Sequence, residues 1–184
     1  MKQEIHMLVY ALVLLAGAIA TYAQDSSGQT QPVFLMEEEA VWREGMPESK
    51  GTVLPAFWNL ELITLDGSTL HLSDYRGSYL LLNFWGEWCA PCLKELPMLV
   101  AAYERIPRAR FNMVGLLVSY DEEQARQTLE AVGASWAQAL IDRKLASQFD
   151  LLVYPMNVLI MPDGVSYEKR YLIDSTFVEQ YVGY

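Results

Sequence analysis

The 184-residue chain is 52% hydrophobic and 20% charged, which suits one compact domain with short extensions and leaves no room for a second full one. With 13 basic against 23 acidic residues, a formal net charge of -10, it lacks the rows of Lys and Arg that a nucleic-acid partner needs to neutralise phosphates. Both of its 2 cysteines lie in one Cys-x-x-Cys, so no pair is left for a structural disulfide elsewhere.

Residues 1–23 read as a secretory signal. Lys2 stands near the start, an apolar run extends from Met7 to Ala20, and Thr21-Tyr22-Ala23 puts small residues at positions -3 and -1 of a cut before Gln24. The run has 14 residues, short of the roughly 20 that a spanning helix needs. Cleavage is therefore expected, with an uncleaved anchor over residues 7–20 as the alternative and the one expected membrane contact. The protein is placed outside the cytoplasm, in a periplasm or its equivalent.

Residues 24–53 form an expected leader, polar from Gln24 to Gln31 and mixing apolar with acidic residues from Val33 to Arg43, where a short helix is expected. Residues 54–184 form the expected domain. Phe57 to Thr64, the turn signal Asp66-Gly67 and Leu70 to Leu72 suggest a hairpin, followed by a short turn from Ser73 closed by Gly77. Tyr79 to Trp85 and Phe111 to Ser119 are nearly continuous apolar runs, read as strands buried on both faces. Pro91 to Arg105 between them fits a helix, giving a βαβ unit, and Pro97 is expected to kink it.

Further on, Asp121 caps an expected helix that reaches Val132 and stops at Gly133. Trp136 to Ile141 reads as a strand and Arg143 to Phe149 as a short helix. Asn157 to Met161, the turn Pro162-Asp163-Gly164 and Val165 to Leu172 form an antiparallel pair, and Asp174 to Tyr181 closes the chain as a helix. The expected class is α/β, with a central mixed sheet, helices on both faces and an N-terminal hairpin.

The chemistry centres on Trp88-Cys89-Ala90-Pro91-Cys92. Disulfide exchange needs a thiolate, and Cys89 lies where a buried strand passes into a helix, so unpaired N–H groups and the positive end of the helix dipole stabilise a negative sulfur. Cys89 is the candidate nucleophile. Cys92, one turn on, can reach Cys89 to resolve a mixed disulfide, and Pro91 suits a first turn where its missing N–H costs nothing. A zinc site would need more ligands than one Cys-x-x-Cys and His71, the only histidine after residue 23, can supply. No metal and no cofactor are expected.

Asn83-Phe84-Trp85-Gly86-Glu87-Trp88-Cys89-Ala90-Pro91-Cys92 resembles the active-site segment of exported thioredoxin-like proteins of the TlpA/ResA type, and Leu72-Ser73-Asp74-Tyr75-Arg76-Gly77 resembles the segment preceding it. The resemblance covers roughly Leu54 to Leu172. It implies a thioredoxin-like fold and exchange with protein disulfide or dithiol clients, more in the sense of a reductase recharged by a membrane electron donor, with cytochrome c maturation among its uses. It places Tyr154-Pro155 at the cis proline that faces the cysteines and aligns a client backbone. Trp88, Ala90, Pro91 and Tyr154 then make the client surface.

The resemblance also makes Glu95 a candidate for handling protons near the cysteines. Ordinary thioredoxins carry a buried Asp in the active-site strand; Asn83 stands there and cannot titrate. Glu87 replaces the small or hydroxyl residue common before the Trp and is expected at the exposed rim. Two other readings compete: a peroxide reductase, which lacks here the Pro-x-x-x-Thr-x-x-Cys context of peroxiredoxins, and a non-catalytic module holding a peptide beside Trp88 and Tyr154. The direction of electron flow stays open.

Overall fold

The structure, a computed structural model, describes residues 36–43, 46–149, 151 and 153–183. The expected signal at 1–23 and the polar stretch at 24–31 lie outside the described residues. In chain order the strands are β1 (Met36–Arg43), β2 (Met46–Val53), β3 (Glu61–Thr64), β4 (Thr69–His71), β5 (Tyr79–Trp85), β6 (Phe111–Leu117), β7 (Ala137–Leu140), β8 (Met156–Ile160) and β9 (Ser166–Arg170). The helices are α1 (Ala90–Arg105), α2 (Glu122–Val132), α3 (Arg143–Ser147) and α4 (Ser175–Val182).

Among the described residues the strands form one mixed sheet in the order β1-β2-β9-β8-β5-β6-β7-β3-β4. The three central apolar runs, β5, β6 and β8, lie side by side, with β5 parallel to β6 and antiparallel to β8. The expected hairpin is β3–β4, and it joins the sheet through β7, but its first arm is shorter than expected because Pro55–Asn59, with a proline opening the turn, winds into a 3-10 helix. One expectation fails: Met36–Arg43 is a strand, paired with β2, which pairs in turn with β9. The glutamates that favour a helix locally are overridden because β9 offers an open row of backbone donors and acceptors, and a hairpin satisfies that row along its whole length.

Strand alternation divides the core. Leu80, Leu82 and Phe84 of β5 face one side with Leu72 and Phe149, whereas Leu81 and Trp85 face the other with Leu96 and Leu99 of α1 and Val178 of α4. Asn83 shares the second side, facing α1. Each large side chain so buried contributes roughly 1.5–3 kcal/mol. Gly115 on β6 leaves room for the Gln138 amide, whose Oε1 a Cβ there would approach to 1.9 Å; that oxygen accepts the Trp85 indole N–H at 3.0 Å. The carboxyl end of β5, from which the redox turn departs, is thereby held. Helix α1 runs unbroken through Pro97.

Candidate active site

At the end of β5 the chain turns through Gly86, where Cys89 N–H donates to the Gly86 carbonyl at 3.0 Å, and enters α1 with Cys89 as its cap. The Cys92 amide donates to Cys89 Sγ at 3.3 Å, so the first turn presents its free N–H to sulfur. The two cysteines are joined as a disulfide with Cα atoms 5.2 Å apart. Both are nearly enclosed, Cys89 at 4% exposure and Cys92 at 1%, and the small opening that exists favours Cys89. Pro91 stands in the first turn of α1 and Ala90 opens it.

Trp88 is held from behind and open in front. Its indole N–H donates to the Val118 carbonyl at 2.9 Å, yet 45% of its surface is exposed. The ring meets Tyr120 at 5.8 Å and Tyr154 at 5.3 Å between centroids. The Tyr154-Pro155 peptide is cis and leads directly into β8, so Trp88 and Tyr154 bring it beside the redox turn. These three aromatic rings border a shallow groove of about 280 Å³ with Val118, Leu151 and Arg143.

Glu95 is fully buried, one turn beyond Cys92. Its Oε1 accepts from Asn157 Nδ2 at 2.7 Å and from the Ile173 amide at 2.6 Å, and its Oε2 accepts from Asn83 Nδ2 at 3.1 Å. Burial raises its carboxyl to about 7, against the opposing pull of those hydrogen bonds from Ile173, Asn157 and Asn83. Such a group changes protonation near neutrality, where thiols exchange.

Glu87 departs from expectation: it is buried at 5% exposure. Its Oε1 accepts the Tyr120 and Asp121 amides at 2.7 and 2.9 Å, immediately before α2. Burial pushes its carboxyl up, but the Tyr120 and Asp121 amides count among the hydrogen bonds that bring it below the ordinary value. A carboxylate is drawn to the unpaired amides at the start of α2, which Asp121 caps as expected by accepting from Gln124 N–H at 3.0 Å. Asn157 went unnoticed in the sequence, although one polar residue inside the apolar run Met156–Ile160 is a signal of a buried pair, as Asn83 is within β5.

Residues 51–180 match the AhpC/TSA family. The thiol-disulfide oxidoreductase ResA of Bacillus subtilis is 30% identical over 117 residues, 63% of this chain and 64% of that protein, so the chain spans just under two thirds of that relative. ResA of Geobacillus thermodenitrificans is 31% identical over 145 residues, covering 78% of this chain and 72% of the other. The thioredoxin domain of a thiol-disulfide oxidoreductase from Bacteroides vulgatus superimposes with a TM-score of 0.57 at 25% identity, over 67% of this chain and 92% of that one. A secreted Mycobacterium tuberculosis disulfide oxidoreductase shares the fold, with a TM-score of 0.63 at 17% identity over 71% and 98% of the two chains.

Proposed function

Because the chain belongs to the AhpC/TSA family and is a ResA/TlpA-like protein of thioredoxin type, we propose that it exchanges disulfides with protein thiols through Cys89 and Cys92. The protein is a thiol-disulfide oxidoreductase. The observation that carries this reading is the Cys89–Cys92 disulfide at the head of α1, with the Cys92 amide directed at Cys89 Sγ.

In the reducing direction, the Cys89 thiolate attacks one sulfur of a client disulfide and expels the other as a thiolate, leaving a mixed disulfide. The Cys92 thiolate then attacks Cys89 Sγ, the internal disulfide forms, and the second client sulfur leaves. Two electrons pass to the client, and two protons lost from the cysteines balance the two client thiols. N–H groups at the helix start favour the thiolate of Cys89 as attacking and as leaving group. Trp88, Ala90, Pro91 and Tyr154 form the client surface, with the client backbone aligned along Pro155. Glu95 takes up or releases a proton as the cysteines change state.

The finer reading is a reductase working outside the cytoplasm, reduced in its turn by a membrane electron donor and serving a narrow client set such as apocytochromes awaiting haem. It is supported by the resemblance and by residues 1–23, which act as an export signal or an anchor. Among the described residues no helix is long and apolar enough to cross a membrane. The redox domain occupies residues 54–184, with the β1–β2 hairpin along its edge.

Cys92→Ser tests the exchange. This variant is expected to accumulate mixed disulfides at Cys89 that dithiothreitol releases, whereas Cys89→Ser forms none. Absence of any trapped species with a disulfide-bearing protein substrate would overturn the mechanism. A reduction potential as oxidising as the roughly -120 mV of a dedicated disulfide donor would overturn the reductase direction.

A further inference from the structure

Three N–H groups converge on Glu95 from three separate segments: Asn83 on β5, Asn157 on β8 and the Ile173 amide beyond β9. The two asparagines are opposite each other across the β5–β8 ladder and are themselves bonded, Asn83 Nδ2 donating to Asn157 Oδ1 at 2.9 Å. Asn83 therefore spends both amide hydrogens, one on Glu95 and one on Asn157. Its own Oδ1 is buried and accepts nothing among the described residues.

Hydrogen counting then separates the two states of Glu95. As arranged, every neighbour donates and both carboxylate oxygens accept, which satisfies an anion. Among its hydrogen-bond partners an added acid hydrogen would find only groups already turned to donate. Turning the Asn83 amide about its last torsion would exchange Nδ2 for Oδ1 and give that hydrogen an acceptor. The bond to Asn157 is lost and the Asn83 N–H donors move to where Oδ1 now lies, so the turn is favoured only when the Glu95 proton is there to be bound. A buried polar group with no partner in one state and a use in the other is what a two-position amide requires.

We propose that Asn83 and Asn157 are positioning residues for thiol exchange: together they hold Glu95 as a carboxylate, and Asn83 turns over when Glu95 takes a proton. The inference rests on the role given to Glu95 in the proposed function. Through this pair the proton affinity of Glu95 is set by uncharged donors. The groups facing it from β5, β8 and the segment after β9 are the two amides and the Ile173 N–H, and α4 contributes the apolar Phe177 and Val178. On its own helix the titratable neighbour is Cys92 once reduced. On the same sheet face β9 carries Glu168 and Arg170, which bond to each other at 2.6 Å, and Glu168 is also bonded by Lys50 of β2 at 3.3 Å and by the Tyr181 hydroxyl of α4.

The test follows the Glu95 carboxyl carbon by NMR across pH in the full-length protein, with the disulfide intact so that no thiol titrates. Asn157→Leu, of similar size but without donors, is expected to raise proton affinity at Glu95 about tenfold, one pH unit. Asn83→Leu should act in the same direction, and Asn83→Ser and Asn157→Ser serve if either leucine variant fails to fold. In the wild type the Asn83 side-chain amide signals should move with the same midpoint as Glu95. In the reduced protein Asn157→Leu should shift the pH profile of thiol exchange, but not when Glu95→Gln is already present.

Glu95 midpoints in the asparagine variants within a few tenths of the wild type, or Asn83 amide signals that ignore Glu95, would overturn the proposal. Failure of the exchange mechanism itself is read separately, as wild-type activity in Cys89→Ser.

Discussion

At the scale of single residues, Glu95 matters most because its ionisation acts on stability as well as on chemistry. Its folded value of about 7 lies above the ordinary 4.5, so between those limits the folded chain holds a proton that the unfolded chain releases. Stability from this group is complete below pH 4.5 and lost as pH rises through 7, a total of roughly 3 kcal/mol. Urea denaturation of the oxidised protein at a series of pH values should reveal the decline, and Glu95→Gln, which cannot ionise, should flatten it. An unchanged slope in that variant would mean that Glu95 is not the group responsible. In the sequence, spacing places Glu95 one turn beyond Cys92 and resemblance alone gives it a role, because nothing local reveals that two asparagines distant in the chain close over it.

At the scale of elements, the redox turn is tied to the segment before α2 at two points: Trp88 Nε1 to the Val118 carbonyl and Glu87 Oε1 to the Tyr120 and Asp121 amides. Glu87→Ala should cost about 1.5–3 kcal/mol in chemical denaturation, since a hydrogen bond to a charged group is worth roughly that much and water can take up part of what the two amides lose. The same substitution should loosen Tyr120 against Trp88, read as faster quenching of Trp88 fluorescence by acrylamide in a protein whose other tryptophans are replaced. Wild-type quenching would show that the aromatic contact stands without Glu87. An exposed Glu87 was a fair expectation from a polar residue in a turn, but backbone amides waiting at a helix start some thirty residues on cannot be seen from its neighbours. The β1 strand is a parallel case: acidic residues in sequence suggest a helix, and only the open edge of β9 makes a strand the better solution.

At the scale of the whole molecule, the sheet separates two apolar layers, with Leu72 in one and Leu99 of α1 in the other, both fully buried. Leu72→Ala and Leu99→Ala should each cost about 2–5 kcal/mol, and the double variant should equal their sum to within about 0.5 kcal/mol, because groups without shared neighbours add. A coupling well above that, measured by urea denaturation, would mean that the sheet transmits strain between its faces. Most of this architecture was legible in the chain. The continuous apolar runs of β5, β6 and β8 mark central strands, Asp121 and Gly133 mark the ends of α2, and the Cys-x-x-Cys between strand and helix marks the reacting atoms. These signals are local, carried by residues within a turn or two of one another, so the sequence alone determined them. Tertiary structure alone decided the strand order, the burial of Glu87, the hairpin on β9 and the cage of Asn83, Asn157 and Ile173 around Glu95. Each depends on groups far apart in sequence whose hydrogen bonds exist only once the sheet has brought them together.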